Sequence, residues 1–269
     1  MPRPVVSIVV PTLNTPRMTQ ACLEAVTRNT GVRYELIVIN NSRSSEIRHC
    51  LSGFRALRVV QNGGNVGYTR AANQGIRHAR GEFLCFLNTD ALVPRGWVER
   101  LLEVVRRQGV GAAGPLSQRV GYRYDRIRGD WASRQALTGL MDETLQRWNP
   151  GSLQEVTILT GFCWMIPRSV LEEVGWFDER FFFGYEDFDY SLRLRLSGYR
   201  LYQIRYLFVH HQMSGSTPCQ IRRRLARKAE KLFAAKWSRI VGRRLHGWPS
   251  VVQAVERRWP IPHQPARNR

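Results

Sequence analysis

The chain of 269 residues has no run of apolar residues approaching the roughly 20 that span a bilayer, so no membrane-crossing helix is expected. Cysteine is sparse and scattered: Cys22, Cys50, Cys85, Cys163 and Cys219 are odd in number and include no CxxC, which argues against a disulfide framework or a zinc knuckle and for a reducing compartment. The opening MPRPVVSIVVPTLN lacks the long hydrophobic core and small-residue cleavage site of a secretory leader. A cytoplasmic protein is therefore expected, with room for peripheral contact at the inner face of the cell membrane. The chain has no GK[ST] phosphate loop, and no GxGxxG follows its first strand. Acidic residues are scarce at the C-terminal end, where residues 220–269 carry 14 Lys/Arg against Glu230 and Glu256. That segment holds +12 of the +20 net charge and leaves +8 for residues 1–219. The split predicts a main domain over 1–219 and a basic helical extension over 220–269, suited to an anionic partner.

What is present centres on Glu82–Asp90, EFLCFLNTD. The run Phe83–Leu87 is apolar throughout and reads as a strand buried on both faces. It delivers Asn88 and Asp90 to a carboxyl end, where open α/β sheets bind ligands. The same two residues are also ordinary turn caps. Val5–Val10 predicts another strand, ended by Pro11, and a helix follows from Pro16 with Thr15 as N-cap. Tyr34–Ile39 predicts a third strand that stops on Asn40, Asn41 and Ser42, and Leu57–Val60 a weaker one. Gly63, Gly64 and Gly67 form a loop before a helix over 68–79. Further elements are expected at 97–108 (helix) and 111–115 (strand). Alternating strands and helices at this spacing predict a Rossmann-like, mostly parallel central sheet flanked by helices. Residues 116–155 show no readable period, and a stretch of that length suggests a functional insertion or an acceptor-side lid.

A second block runs from Leu159 to Ser216. It contains a strand over 162–166, a short helix ended at Gly175, the aromatics Phe181, Phe182, Phe183 and Tyr185, and the acidic cluster Glu186, Asp187 and Asp189. Acids in a first helical turn favour the helix dipole, yet carboxylates behind bulky aromatics are also the setting of a general base. A last strand ends on His210 and His211, and a histidine with an aspartate suits a divalent cation that also binds diphosphate oxygens.

The segments SIVVPTLN, NGGNVGYTRAANQGI, ARGEFLCFLNTD, TGFCWMI, VGWFDERFFFGYEDFDYSLRLRLSGY and FVHH, in this order, resemble family 2 glycosyltransferases, particularly the bacterial rhamnosyltransferase-like branch, over about residues 5–216. The resemblance implies a GT-A fold and an inverting, hexosyltransferase-type reaction, as in polysaccharide or other glycoconjugate synthesis. It implies a UDP-, dTDP- or GDP-linked sugar donor, a saccharide, lipid-linked or other hydroxyl acceptor, and Mn²⁺ or Mg²⁺. It sets Asn88-Thr89-Asp90 on the metal motif with Asp90 as its carboxylate, Asp187 on the catalytic base, and His210 on the metal-binding histidine, with His211 the alternative one residue on. Pro11, Thr12 and Asn40 match positions lining the nucleotide base, and Asn14, Asn65, Gly67, Asn73, Asn88 and Thr89 complete the expected donor-binding set. Asn40 stands where family members commonly carry Asp, and an amide both donates and accepts whereas a carboxylate only accepts.

In the tail, Ile221, Leu225, Ala229, Leu232, Phe233, Lys236 and Ile240 recur at helical spacing, with Arg222, Arg223, Arg224, Arg227, Lys228 and Lys231 among the remainder. Two readings stand for this basic amphipathic helix: packing on the main domain, or attachment to an anionic membrane through 220–245. Nucleic-acid binding is the weaker alternative because no reader motif and few aromatics accompany the arginines. A sugar-nucleotide-forming nucleotidyltransferase is the other alternative. A loosely ordered end is expected beyond Gly247.

Overall fold

The computed structural model describes residues 4–54, 56–117, 151–212, 219–258 and 260. Three parallel strands open the chain: β1 (Val6–Thr12), β2 (Tyr34–Asn40) and β3 (Leu57–Gln61), joined by helices α1 (Pro16–Asn29) and α2 (Ser45–Ser52). Helix α3 (Tyr68–His78) then leads to β4 (Phe83–Leu87), which pairs in parallel with the other side of β1. The short β5 (Ala91–Leu92), α4 (Trp97–Val105), β6 (Val110–Leu116) and β7 (Leu153–Glu155) follow. Next come β8 (Cys163–Pro167), α5 (Arg168–Val174), α6 (Glu186–Leu196), β9 (Arg200–Phe208) and β10 (His210–His211), then α7 (Cys219–Val241) and α8 (Gly247–Arg258). The main sheet has the order β3-β2-β1-β4-β8-β6-β9-β7, and β10 pairs with β5 in a separate ribbon. It is parallel from β3 to β4, while β8 and β7 run antiparallel to their neighbours.

The period-2 alternation of the strands divides the core. Val6, Ile8 and Val10 of β1 and Phe83, Cys85 and Leu87 of β4 face the cluster under α1 and α4, whereas Val9, Leu84 and Phe86 face the one under α3 and α6. All five residues of β4 are buried, as its continuous apolar run requires. Pro11 lies inside β1 and does not end it. The ladder to β4 ends at Val9, so the missing N–H of Pro11 interrupts no pairing on that side.

A third cluster fastens the C-terminal helices to α6: Phe233 and Trp237 of α7 and Val251, Val252 and Val255 of α8 bury against Phe181 and Leu192. Replacing a side chain as enclosed as Trp237 with Ala costs about 3–5 kcal/mol. The chain beyond Gly247 is therefore helical through Arg258, contrary to the loosely ordered end expected there. Val251, Val252, Ala254 and Val255 form an apolar stripe, and Pro249 sits in the first turn, where its missing N–H costs nothing. Residues 118–150 lie outside the described residues, and with them most of the segment expected to form an insertion or lid. Among the described residues no helix is long and apolar enough to cross a membrane.

Candidate active site

The carboxyl ends of β1 and β4 and the start of α6 open on one cavity of about 310 Å³. Pro11 and Thr12 enter it from β1, Asn88, Thr89 and Asp90 from the turn after β4, Glu186 and Asp187 from α6, and His211 from β10. Asn65 and Gly67 line it from the glycine loop. Gly67 has φ +86°, and a Cβ there would lie 2.7 Å from the Phe182 ring and 2.9 Å from its carbonyl oxygen, so no other residue fits without moving the aromatic loop.

The ribbon of β5 and β10 decides which histidine meets Asp90. Antiparallel pairing sets His211 opposite Ala91 and His210 opposite Leu92, and alternate residues of a strand point to opposite faces. The Nε2 atom of His211 lies 3.2 Å from Oδ1 of Asp90, and its ring stacks on Phe162 at 4.6 Å between centroids. His210, the expected ligand, is not among the residues lining the cavity; the adjacent residue occupies that place. Asp90 and His211 form a two-donor set, and among the described residues no group of three or more His, Cys, Asp or Glu side chains could hold a metal. Such a set fits Mg²⁺ or Mn²⁺ in the way these ions are held beside phosphates, by one or two protein groups with substrate oxygens and water completing the shell.

At the start of α6, Tyr185 takes the left-handed conformation (φ +68°), uncommon for a residue with a side chain, and so launches the helix with two adjacent carboxylates at the cavity wall. Asp187 accepts the N–H of Gly161 on Oδ2 at 3.0 Å and that of Phe188 on Oδ1 at 2.9 Å. Burial raises its pKa above the usual carboxylate value, and those two N–H groups oppose the rise. For Glu186, burial first and the Asp187 charge second push the pKa up to about 8. Its Oε2 is buried with no hydrogen-bond partner among the described residues. The third acid, Asp189, is 1% exposed and turns away from the cavity. It accepts hydrogen bonds from Arg193, Lys236 and Trp237 and clamps α7 to α6.

Three expected donor-binding residues are not among those lining the cavity. Asn40 gives its Nδ2–H to Gln61 at 2.7 Å and accepts the Ser42 N–H at 2.9 Å, while Asn41, one residue later, lines the cavity. Asn73 donates to the Phe177 carbonyl and Glu179 and accepts the Phe177 N–H, pinning α3 to the loop before α6. Asn14, at φ +51°, accepts from the Ser42 hydroxyl.

Tyr68 lines the cavity too, and its hydroxyl donates to the Gly161 carbonyl at 3.2 Å, steadying the peptide that binds Asp187. Arg222 and Leu225 reach the same wall from α7, and Arg222 is the only Lys or Arg among the lining residues. Counting Arg222 with the solvated basic face missed it, although its spacing to Leu225, Ala229 and Phe233 (i, i+3, i+7, i+11) already set it on the inward stripe.

Residues 7–175 match the model of the family described as glycosyl transferase family 2. The low-salt glycan biosynthesis hexosyltransferase Agl10 of Haloferax volcanii is 27% identical over 187 residues, which cover 66% of this chain and 59% of that protein. The N-acetylglucosaminyl-diphospho-decaprenol L-rhamnosyltransferase of Mycobacterium tuberculosis is 27% identical over 210 residues, 68% of this chain and 67% of that one. The chain spans between 25% and 59% of the length of the first curated relatives it matches. Among solved structures, the mannosyltransferase PcManGT from Pyrobaculum calidifontis, in complex with GDP-Man and Mn²⁺, superposes with a TM-score of 0.63 at 18% identity, covering 94% of this chain and 69% of that one. At that identity the likeness speaks for the fold alone, an α/β arrangement of the GT-A type.

Proposed function

The chain belongs to glycosyl transferase family 2, and on that footing we propose that it moves a hexosyl group from a nucleotide-sugar donor to a hydroxyl acceptor, with a divalent cation and inversion at the anomeric carbon. One observation carries the reading: a single cavity is lined both by a carboxylate–histidine pair at strand ends and by a buried carboxylate pair at a helix start.

Asp187 is the general base. It takes the proton of the acceptor hydroxyl while that oxygen forms its bond to the anomeric carbon, and the bond from this carbon to the diphosphate oxygen breaks on the opposite side. The nucleoside diphosphate leaves with the electron pair. A base pKa raised by burial suits this task, since proton transfer is most efficient when the pKa approaches the working pH. Asp90 and His211 would hold Mg²⁺ or Mn²⁺, which when bound supplies electrostatic stabilisation of the leaving diphosphate. Arg222 adds a fixed positive charge on the same wall. It can meet diphosphate oxygens but does not replace the carboxylate that the metal motif lacks at Asn88. Pro11, Thr12, Asn41, Asn65 and Gly67 form the nucleoside side.

The M. tuberculosis relative is named a rhamnosyltransferase, which supports a rhamnosyltransferase-like reaction with a UDP-, dTDP- or GDP-linked donor in cytoplasmic glycoconjugate synthesis. A thermal-shift panel of UDP-, dTDP- and GDP-sugars, with and without Mn²⁺ or Mg²⁺, tests the donor site on the wild type and Asp90→Ala. We expect stabilisation by one nucleotide class that requires the metal and disappears in the variant. No shift with any of these donors would remove the donor site, and with it the transferase reading.

A further inference from the structure

Helix α7 has two working sides. One is buried through Ala229, Phe233 and Trp237 and reaches the cavity wall through Arg222 and Leu225. The other exposes Arg223, Arg224, Arg227, Lys228 and Lys231, which surround one shallow depression. Among the described residues none of these five side chains makes an ion pair or hydrogen bond. The helix carries a single acid, Glu230, which accepts a hydrogen bond from the Tyr185 hydroxyl. On the same helix Ile221 is 45% exposed, and Phe182, which lines the cavity, is 39% exposed.

We propose that the basic ridge of α7, with Ile221, docks on an anionic lipid bilayer and holds the chain at its surface, so that the acceptor hydroxyl belongs to a membrane-held molecule. The acceptor clause rests on the transferase reading; the docking surface does not. Exposed Lys and Arg beside an exposed Ile are the composition of an interfacial helix, in which apolar side chains enter the headgroup boundary while cations meet lipid phosphates. A single-stranded nucleic acid would instead need stacking aromatics, and the two aromatics of α7, Phe233 and Trp237, are fully buried. The cavity and the ridge share one helix, so docking brings a reaction centre within reach of a headgroup without a membrane span.

Sedimentation of the full chain with vesicles tests this, using phosphatidylcholine alone and phosphatidylcholine with 30% phosphatidylglycerol in about 0.1 M salt. Binding is expected on the anionic vesicles only. Each basic residue near such a surface contributes about fivefold to partitioning, so Arg224→Gln/Arg227→Gln/Lys231→Gln should lower it on the order of 100-fold. The control Arg33→Gln/Arg106→Gln/Arg107→Gln removes the same charge at the opposite end of the sheet, beside the start of β1, and should bind as the wild type does. Ile221→Ser should weaken vesicle binding several-fold while leaving heparin affinity unchanged, which separates a bilayer from a generic polyanion. Equal binding to neutral vesicles, equal loss in both triple variants, or an oligonucleotide that binds more tightly than the anionic vesicles would each overturn the proposal. No donor or acceptor enters these measurements, so a failed docking surface leaves the transferase reading intact, and a failed donor panel leaves the docking surface intact.

Discussion

Asp187→Asn separates catalysis from binding and folding. The substitution keeps size and shape but removes the carboxylate proposed to take the acceptor proton. Loss of a general base lowers turnover about 10²- to 10⁴-fold. The folding cost is smaller because two effects oppose each other. An amide oxygen can accept the Gly161 N–H or the Phe188 N–H, but its NH₂ group then faces the other donor. One buried N–H goes unsatisfied, at about 1–3 kcal/mol, and the first turn of α6 loses a charge that complements its dipole, at about 0.3–1 kcal/mol. Against this, burial already disfavours the Asp187 carboxylate, so removing its charge returns part of the loss. The net destabilisation should be about 1–2 kcal/mol, or a few degrees in Tm for a chain of this size. The assay is nucleoside diphosphate release in the presence of an acceptor, alongside the metal-dependent donor shift. Turnover within tenfold of the wild type would refute the base assignment. Normal turnover loss accompanied by loss of the donor shift would make Asp187 a donor-binding group.

The register of β10 predicts that His211→Ala abolishes the metal-dependent part of donor stabilisation whereas His210→Ala leaves it, as differential scanning fluorimetry with Mn²⁺ can read; the reverse result would mean the ribbon pairs one residue out of step. Arg222→Ala should weaken nucleoside diphosphate binding about 10- to 100-fold, the worth of a charge-assisted hydrogen bond, and change nucleoside binding little; calorimetry on the two ligands distinguishes this from a general loss of the site. The raised pKa of Glu186 makes its contribution to stability complete below its ordinary value of 4.5 and lost as pH rises to about 8. Glu186→Gln should therefore flatten the decline of Tm across that interval, and parallel profiles for variant and wild type would show that Glu186 ionises normally.

Much of this could be read before any coordinates. The continuous apolar run Phe83–Leu87 has no stable place except a strand covered on both faces, and β4 has those bounds. The pair Glu186–Asp187 at a helix start behind Phe181–Tyr185 was likewise legible, because aromatic bulk followed by acids before a leucine-rich helix is a local pattern. Expectation and structure part where a local pattern has two outcomes. A strand end offers consecutive polar residues, and alternation sends only one of each pair to the cavity: Asn41 and not Asn40, His211 and not His210. Asn73, expected in the donor-binding set, finds a partner that no local pattern names. The partner is the backbone of Phe177, 104 residues away in sequence.

The sequence by itself determined the strands β1, β2 and β4, the starts of α1, α3 and α4 and the residue types available to the site, because each follows from interactions within a few residues. Tertiary structure decided which of those side chains meet. The pairing of β5 with β10 selects the histidine beside Asp90. The clamp of Lys236 and Trp237 on the buried Asp189 draws α7 against α6 and brings Arg222 to the cavity wall. Both depend on contacts between segments far apart in the chain, and periodicity carries no record of which distant partner a given face will find.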